Sequence, residues 1–319
     1  MISRGVALLA RLAPWLGELV DHERLELRLD ESMSRHTTLR LGGPADVWAR
    51  PGDEAALIAL LHACHESATP TSFVGSGTNL LVRDGGLRGV VVNLGRLNRV
   101  HRPEPDRRPT IVEVEAGCST GRLLSQATQW ELGGVEFLGG VPGSVGGGLI
   151  MNAGTYLGEF TNVVVEVRSL DRAGARIVRD HDACGFRYRD SDLPPDEIVV
   201  SAQLELRPRP RAEIEVEVAA LRKRRDEREP KGVPNNGSTF KNPPGEFAGR
   251  LIEAAGLKGT RVGGAVVSDK HANWLVVDRG VTPSCTAADM LELIELVRGE
   301  VERVHGVRLE TEVEIVGEA

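Results

Sequence analysis

The chain has 319 residues, of which 41% are hydrophobic and 27% charged, and its formal net charge at pH 7 is −7. This composition is ordinary for a globular protein of two or three domains. The acidic balance argues against nonspecific nucleic-acid binding, which needs a basic face, and an aromatic content of 4% argues against a stacking platform for bases.

The cysteines and the N-terminal stretch indicate in which cellular compartment the protein works. The 4 cysteines are scattered without a C-x-x-C pair, a pattern typical of free thiols in a reducing cytosol. No stretch of the sequence has the length and apolarity of a membrane span. Residues 6–20 resemble a signal peptide, but Arg11, Pro14 and Glu18 interrupt the apolar run and no small-residue cleavage site follows. We therefore expect an amphipathic helix there, in a cytoplasmic protein that binds neither membrane nor nucleic acid.

The next part of the chain predicts a strand from Val47 and the start of a helix within Pro51–Glu54. The helix carries His62, Cys64 and His65, residue types that ligate zinc. With no further ligand cluster nearby, an exposed helix face is the better interpretation, and we expect no metal site.

A glycine-rich turn follows at Val74–Gly86, with the sequence V-G-S-G-T-N-L-L-V-R-D-G-G. Gly75 and Gly77 permit backbone angles that strain other residues, and they let the main chain approach a ligand closely. Successive N–H groups in such a turn form a concave anion site that suits phosphate. Leu80 stands where a G-x-G-x-x-G fingerprint needs glycine, and the chain has no Gly-Lys-Ser/Thr sequence. From spacing alone, a phosphate cradle of another kind and an ordinary tight turn remain equally open.

The middle of the chain predicts strands at 89–93 and 110–116 and a helix at 120–132. A second glycine-rich stretch then runs over Gly139–Gly154, with the sequence G-G-V-P-G-S-V-G-G-G-L-I-M-N-A-G. Apolar residues stand between its glycines. We therefore favour backbone pressed against a flat ligand over a surface linker.

Strands at 162–169 and 175–178 are predicted to form a hairpin, and a strand at 198–207 ends at a proline-rich domain boundary, 208–210. A helix follows whose tail, R-K-R-R-D-E-R-E, mixes both charge signs and indicates a solvated end rather than an anion-binding edge. After a polar turn at 235–243, the pattern predicts helices at 246–255 and 286–305.

The last predicted strand, Leu309–Val316, alternates cleanly. Leu309, Thr311, Val313 and Ile315 face one side, and Glu310, Glu312 and Glu314 face the other. Periodicity places the glutamates on one wet face without saying which of them, if any, is catalytic.

Eight stretches of this chain together resemble one family, the UDP-N-acetylenolpyruvoylglucosamine reductases (UDP-N-acetylmuramate dehydrogenases) of bacterial cell-wall synthesis. A single match would be weak, but eight in the same order, spread over nearly the whole chain, are specific. The matching stretches are T-T-L-R-L-G-G-P-A (Thr37–Ala45), G-S-G-T-N-L-L-V-R-D (Gly75–Asp84), V-P-G-S-V-G-G (Val141–Gly147), M-N-A-G (Met151–Gly154), Y-R-D-S (Tyr188–Ser191), G-S-T-F-K-N-P (Gly237–Pro243), K-H-A-N (Lys270–Asn273) and L-E-T-E-V (Leu309–Val313).

The resemblance implies an α+β fold: a two-part FAD-binding region of the PCMH/vanillyl-alcohol-oxidase type and a smaller α+β substrate-binding domain. The expected ranges are 1–101 and 102–208 for the two FAD-binding subdomains, 209–308 for the substrate-binding domain, and 309–319 for a C-terminal strand that returns to the active site. Ser238 follows Arg189 by only 49 positions, which indicates the shorter subtype that lacks an extra substrate-covering loop.

The function implied is that of a flavoprotein oxidoreductase in peptidoglycan synthesis, and hence in cell-wall biogenesis, cell shape and cell division. It would reduce UDP-N-acetylenolpyruvoylglucosamine to UDP-N-acetylmuramate with NADPH as electron donor and FAD as cofactor. The expected partners are the UDP-sugar and NADPH, and the expected state is a monomer. The alternative is another FAD-linked oxidoreductase or oxidase on the same flavin-binding fold.

The resemblance also assigns site residues. Arg189 would hold the substrate carboxylate, which a guanidinium meets bidentately, Ser238 would donate the proton through a hydrogen-bonded relay, and Glu312 would polarise or protonate the carboxylate side of the enolate. Taken without the family, these three residues would be interpreted as a surface ion pair, a turn hydroxyl and a solvated glutamate.

The remaining assignments concern binding. Tyr188, Lys241 and Asn242 are expected to contact the substrate, with Lys231 and Arg225 as weaker candidates for its diphosphate. The residues expected to hold FAD are Gly75, Ser76, Gly77, Thr78, Asn79, Leu80, Gly140, Val141, Pro142, Gly143, Ser144, Gly146 and Gly147.

Overall fold

The computed structural model describes residues 3–21, 23–280 and 284–319. The helices are α1 (Arg4–Asp21), α2 (Glu54–Glu66), α3 (Thr120–Gln129), α4 (Val145–Ile150), α5 (Arg211–Arg228), α6 (Ala248–Ala254) and α7 (Ala287–His305). Short 3₁₀ helices lie at Met33–Arg35, Glu136–Gly140, Phe160–Asn162 and Asp182–Cys184.

The strands are distributed along the whole chain. They are β1 (Leu25–Ser32), β2 (Pro44–Pro51), β3 (Thr71–Phe73), β4 (Leu80–Val82), β5 (Leu87–Val92), β6 (Val100–His101), β7 (Ile111–Glu115), β8 (Leu132–Gly133), β9 (Gly154–Thr155), β10 (Gly158–Glu159), β11 (Val164–Leu170), β12 (Arg176–Asp180), β13 (Ile198–Glu205), β14 (Arg207–Pro208), β15 (Arg261–Val262), β16 (Ala265–Val267), β17 (Leu275–Val277) and β18 (Glu314–Val316).

The contacts divide the chain into two compact units, each assembled from separate stretches. The first unit comprises Met1–Asp30, Asp46–Ser76 and Gly89–Arg224, and the second comprises Glu31–Ala45, Gly77–Arg88 and Arg225–Ala319. One boundary falls between Ser76 and Gly77, inside the first glycine-rich stretch. The division into four consecutive ranges made from the sequence stays a prediction.

The N-terminal part of the first unit is a four-stranded sheet in the order β1-β2-β5-β3. The predicted N-terminal helix is confirmed as α1, and its leucines pack with those of α2 in one core. Leu12, Leu57 and Leu60 are fully buried there, and burying such a side chain stabilises a fold by about 1.5–3 kcal/mol. The start of α2 is also as predicted, since the side chain of Asp53 accepts a hydrogen bond from the N–H of Ala56.

The rest of the first unit surrounds a five-stranded antiparallel sheet in the order β12-β11-β13-β7-β6. The predicted hairpin is confirmed as β11 and β12, which pair from Glu166 with Asp180 to Leu170 with Arg176. The second glycine-rich stretch packs against this region and is not a linker: Val145 and Leu149 of α4 are completely buried in the core.

The second unit has its own core, formed by α6, α7 and the three-stranded sheet β15-β16-β17. Residues on one face of α7 are buried, at Met290, Leu293, Ile294, Val297 and Val301. The C-terminal strand β18 pairs in parallel with β4, which lies within the first glycine-rich stretch. The chain end is therefore held beside the turn that the family resemblance assigns to FAD.

The start of α7 is capped from a distant part of the sequence. Thr286 and Asp289 form a capping box. In addition, the carboxylate of Asp84 accepts hydrogen bonds from the N–H groups of Ala287 at 3.0 Å and Ala288 at 2.9 Å. A carboxylate at this position satisfies two helix donors and opposes the positive end of the helix dipole. The last residue of the G-S-G-T-N-L-L-V-R-D stretch thus has a structural role.

Candidate active site

The two glycine-rich stretches meet in the first unit at Gly75. A Cβ atom built on Gly75 would lie 2.3 Å from the Oγ of Ser144, so a larger residue fits only if the Ser144 side chain moves. The side-chain amide of Asn93 donates to the carbonyls of Val74 and Gly75, each at 2.9 Å. The first stretch is therefore tied down at the end of β5 and pressed against the second.

The second stretch is held in place by the segment that leads into α3. The N–H of Thr120 donates to the Gly143 carbonyl at 3.1 Å, and its hydroxyl donates to the Val141 carbonyl at 2.6 Å. The N–H of Gly146 donates to the Ala116 carbonyl at 2.8 Å. These hydrogen bonds hold the irregular backbone around residues 141–146 in place, although it is not part of a β-sheet.

The exposure of the predicted FAD-binding residues alternates between surface and interior. The exposed members are Gly75, Ser76, Pro142 and Gly147; the half-buried ones are Thr78, Asn79, Val141 and Gly143; the buried ones are Gly77, Leu80, Gly140, Ser144 and Gly146. Main chain at the exposed glycines is reachable by a ligand without an intervening side chain.

The continuation of the first stretch, Gly77–Leu80, lies in the second unit. Gly77 has a φ of 63°, and a Cβ there would lie 1.9 Å from the His36 carbonyl oxygen. The N–H of Thr38 donates to the Gly77 carbonyl at 3.0 Å. The T-T-L-R-L-G-G stretch therefore supports the glycine-rich turn, and glycine is required at 77 both for its φ and for space.

Within the second unit, Asn79 joins this turn to the C-terminal stretch. Its side-chain amide donates to the Glu312 carbonyl at 2.8 Å, and its own carbonyl accepts from the N–H of Glu314 at 3.0 Å. The turn expected to hold FAD and the glutamate expected to be catalytic are thus neighbours, which the spacing of the sequence did not indicate.

The Ser238 and Glu312 stretches also lie side by side. The N–H of Glu312 donates to the carbonyl of Thr239 at 2.8 Å, and the N–H of Lys241 donates to the carbonyl of Glu310 at 2.9 Å. Gly237, with a φ of 80°, precedes the serine. Ser238 and Glu312, 74 positions apart in the sequence, are therefore separated by one backbone hydrogen bond and one peptide unit.

A buried asparagine fixes the serine stretch from its other side. The side chain of Asn273 donates to the Phe240 carbonyl at 2.8 Å and accepts from the Phe240 N–H at 3.0 Å. The Asn273 carbonyl accepts from the N–H of Thr239 at 2.8 Å. Asn273 acts here like a paired strand residue, and we did not predict this role although the residue ends the K-H-A-N stretch.

The three glutamates that the sequence left equivalent differ in exposure. Glu310 and Glu314 are exposed, whereas Glu312 is half-buried. The side chain of Glu310 is 81% exposed, and its carboxylate lies 3.7 Å from the Nζ of Lys241. Glu312 is therefore the glutamate best placed to meet a ligand in a partly desolvated environment.

Arg189 lies in the first unit, in a tight turn that spans Arg187–Asp190. The N–H of Asp190 donates to the Arg187 carbonyl at 3.2 Å, and the N–H of Arg187 donates to the Asp190 carbonyl at 2.9 Å. Arg189 itself has a φ of 54°, a region that non-glycine residues seldom adopt. Its guanidinium donates to the Gly154 carbonyl at 2.9 Å and lies 5.1 Å from the ring centroid of Tyr188.

The predicted substrate-binding side chains have varied surroundings. Tyr188 is 51% exposed. Asn242 accepts from the N–H of Ala248 at 3.0 Å, at the start of α6. The weaker candidates are both in ion pairs, Lys231 with Asp226 at 2.7 Å and Arg225 with Glu229 at 2.8 Å.

The possible metal ligands of α2 are not arranged as a site. His62 and His65 are exposed, while Cys64 is buried, and burial raises the pKa of its thiol to about 12. In the described part of the chain, no group of three or more His, Cys, Asp or Glu side chains is arranged to hold a metal ion. Of the helices that the structure describes, none combines the length and apolarity needed to cross a membrane.

Known proteins resemble this chain over almost its full length. A protein of Moorella thermoacetica named UDP-N-acetylenolpyruvoylglucosamine reductase is 44% identical over 307 residues, covering 95% of this chain and 97% of that protein. The chain belongs to the UDP-N-acetylenolpyruvoylglucosamine reductase family. A reductase of the same name from Anaeromyxobacter dehalogenans is also 44% identical, over 304 residues that cover 95% of this chain and 90% of that protein.

Domain and structure comparisons agree with this membership of the reductase family. The family model described as "UDP-N-acetylenolpyruvoylglucosamine reductase, C-terminal domain" matches residues 229–316, and the model described as "FAD binding domain" matches residues 45–180. The crystal structure of the reductase from Thermus caldophilus is 35% identical, with a TM-score of 0.76 over 92% of this chain and 98% of that one. These matches confirm the α+β fold with an FAD-binding region, and FAD as the cofactor of an oxidoreductase. The assignment of that region to the PCMH/vanillyl-alcohol-oxidase type stays a prediction.

The glycine-rich stretches of this family member fit such a cofactor. A side chain at position 75 would have to displace the Ser144 hydroxyl, and Gly77 has a backbone conformation that favours glycine. Ser76 and Gly147 are both exposed, and neither carries a bulky side chain. A surface of this kind lets peptide N–H groups and small hydroxyls reach phosphate oxygens and a flat ring system.

Proposed function

We propose that this protein reduces UDP-N-acetylenolpyruvoylglucosamine to UDP-N-acetylmuramate in the cytoplasm, with NADPH as the electron donor. The observation that carries the proposal is the pairing of the Ser238 and Glu312 stretches, which puts a hydroxyl and a carboxylate on adjacent backbone segments. Family membership supports the same reaction. We further propose that the protein acts as a monomer.

The cofactor is proposed to bind along the two glycine-rich stretches, through Gly75–Leu80, Gly140–Ser144, Gly146 and Gly147. Bound there, FAD would supply the hydride that adds to the terminal carbon of the enolpyruvyl group. The close contact of Gly75 with Ser144 and the left-handed conformation of Gly77 support this assignment. The chain's own contribution is to bind and orient the reactants and to manage charge and protons.

Arg189 is proposed to hold the substrate carboxylate. Negative charge develops on that carboxylate as the neighbouring carbon becomes an enolate, and a guanidinium oriented beforehand stabilises it. The planar donors of arginine match the two oxygens of a carboxylate. The hydrogen bond to Gly154 and the stacking on Tyr188 limit the rotamers of Arg189, so less entropy is lost when the substrate binds.

Ser238 is proposed to donate the proton to the enolate carbon. A serine hydroxyl is a weak acid, so it needs a fixed position and a relay that replaces its proton. The backbone bonds of Thr239 to Asn273 and Glu312 support the first requirement, because they hold the peptide unit that follows the serine.

Glu312 is proposed to polarise or protonate the carboxylate side of the enolate. Its half-buried position raises the effect of its charge or its proton on a neighbouring ligand relative to a fully solvated glutamate. Tyr188, Lys241 and Asn242 are proposed to contact the UDP-sugar. The segment between Arg189 and Ser238 is largely taken up by β13, β14 and α5, which supports the shorter subtype without a covering loop.

Product analysis tests this function. The FAD-loaded protein, given NADPH and UDP-N-acetylenolpyruvoylglucosamine, should form UDP-N-acetylmuramate in an amount equal to the NADPH consumed, as followed by mass spectrometry. UDP-N-acetylglucosamine, which lacks the enolpyruvyl group, is the matched control and should not react. NADPH oxidation without this product, or no turnover at saturating FAD, would contradict the proposal.

A further inference from the structure

Asn152 lies at a junction of three segments in the first unit. Its side chain is completely buried. The amide nitrogen donates to the Arg187 carbonyl at 3.0 Å, and the amide oxygen accepts from the N–H of Thr161 at 2.9 Å. One end of the side chain must donate and the other must accept, so among residues of this shape only asparagine satisfies both partners.

The same junction attaches the turn at Arg187–Asp190 to the segment Ile150–Gly154. Besides the Asn152 bond, the guanidinium of Arg189 donates to the Gly154 carbonyl at 2.9 Å, and the hydroxyl of Ser191 donates to the Ile150 carbonyl at 2.7 Å. Asn152 is fully buried, whereas Arg189 and Ser191 are only half-buried. Water therefore competes less with the Asn152 bond than with the other two.

The turn needs such an attachment because of its backbone. Arg189 has a φ of 54°. A residue other than glycine keeps this backbone conformation only where its surroundings hold it there. Arg187 also forms ion pairs with Asp190 at 2.8 Å and Asp192 at 2.6 Å, but all three side chains are at least half exposed. Exposed pairs of this kind contribute little and are screened by salt.

We propose that Asn152 is a positioning residue for Arg189. By donating to the carbonyl of Arg187, the first residue of the turn, it holds the turn in the conformation that directs the Arg189 guanidinium. The inference rests on the proposed function, since it takes Arg189 as the partner of the substrate carboxylate. It adds a residue that touches neither substrate nor cofactor and acts through the backbone.

The substitution Asn152→Asp tests this most directly. It keeps the acceptor for Thr161 but sets a carboxylate oxygen against the Arg187 carbonyl, which repels it. The matched control is Asn162→Asp, because the hydrogen bond of Asn162 is made by its oxygen, which accepts from the N–H of Glu159 at 2.9 Å, and aspartate accepts equally well. Asn152→Gly removes both bonds without adding charge and tolerates the φ of 42° at this position.

Two half-reactions are measured separately by anaerobic stopped flow. We expect Asn152→Asp to lower kcat/KM for flavin reoxidation by the enolpyruvyl substrate between about tenfold and about a hundredfold, the effect of a misplaced catalytic group. Flavin reduction by NADPH and FAD content should stay within about twofold of wild type. Asn162→Asp should change neither half-reaction. If Asn152→Asp fails to fold, Asn152→Gly is measured instead, and we expect it to slow reoxidation and spare reduction in the same way.

A double-mutant cycle separates positioning from general support of the fold. In an Arg189→Ala background, Asn152→Asp should slow reoxidation by no more than about twofold further, since the group it positions is already absent. Additive losses, or equal losses in both half-reactions, would overturn the inference. A wild-type protein that the enolpyruvyl substrate does not reoxidise would instead overturn the proposed function.

Discussion

Asn79, Asn152 and Asn273 each use a side-chain amide to bind the main chain of another stretch. Their partners are the carbonyls of Glu312, Arg187 and Phe240. An amide side chain replaces a strand partner where the backbone is irregular, because it offers the same donor and acceptor as a peptide group. The positions of the proposed catalytic residues therefore depend on residues that take no part in the chemistry.

The glutamates of the C-terminal stretch give a residue-scale prediction with a built-in control. Glu312→Gln should lower the rate of substrate reduction by about tenfold or more, because glutamine can neither carry the negative charge nor donate the proton of a carboxyl group. Glu314→Gln makes the same chemical change at an exposed position two residues on and should leave the rate unchanged. Steady-state kinetics compare the two, and equal effects would remove Glu312 from its role.

Thr239 gives a second prediction, on stability. Its side chain is 1% exposed, and among the residues that the structure describes its hydroxyl finds no hydrogen-bond partner. Valine has the same shape without the polar group, so Thr239→Val should raise the free energy of unfolding by about 1 kcal/mol. Urea denaturation measures the change. A loss of stability would show that the hydroxyl has a partner, such as an ordered water.

At the scale of elements, local patterns identified the regular parts well. The helices at α1, α2 and α7 and the hairpin of β11 and β12 follow from periodicity and from cap or turn residues. The C-terminal stretch shows the limit. We predicted one strand over Leu309–Val316, but only Glu314–Val316 forms a ladder, while Phe240 and Thr311 make an isolated bridge. The alternation of apolar and polar residues predicts which face of an extended segment is buried. Where that segment pairs depends on whether another backbone segment lies beside it.

The cap of α7 gives a prediction at this scale. Asp84→Ala removes the acceptor for the N–H groups of Ala287 and Ala288 and should lower the free energy of unfolding by about 1–2 kcal/mol. Glu292→Ala, on the exposed face of the same helix, is the control and should stay within about 0.5 kcal/mol of wild type. Equal losses in the two variants would mean that Asp84 does not act as a cap.

At the scale of the whole molecule, the order of short motifs was enough to identify the family, the fold and the cofactor. The two discontinuous units were not predictable, because they join stretches such as Glu31–Ala45 and Arg225–Ala319 that lie far apart in sequence. The bond between Asn79 and Glu312 was hidden for the same reason. Local spacing carries no record of contacts between residues more than 200 positions apart.

The cysteines give a prediction for the whole chain. All 4 are free and buried, and burial raises the pKa of Cys64 to about 12 and the pKa values of the other three, Cys118, Cys184 and Cys285, to about 11. At about pH 8 the native thiols should react far more slowly with an aromatic disulfide reagent than thiols in the unfolded chain, whose pKa is about 8.5.

The same shifts set a direction for stability. Folded pKa values above the unfolded value mean that the native state holds these protons more tightly. The stability that the thiols contribute is therefore complete below the unfolded pKa and is lost as the pH rises through the folded values of about 11 to about 12.

The predicted difference in thiol reactivity is measured by absorbance, with the reagent added in native buffer and in denaturant. Rapid reaction of any thiol in the native protein would contradict the burial described.

One anaerobic titration tests the central claim most directly. NADPH should bleach the flavin of the loaded protein, and UDP-N-acetylenolpyruvoylglucosamine should then restore its absorbance in the absence of oxygen. Ser238→Ala should bleach at the wild-type rate but recover between about a hundredfold and about ten-thousandfold more slowly, the usual range for a lost proton donor. Two results would contradict the proposed function. One is a reduced flavin that oxygen reoxidises but the enolpyruvyl substrate does not; the other is a Ser238→Ala variant slowed equally in flavin reduction and in reoxidation.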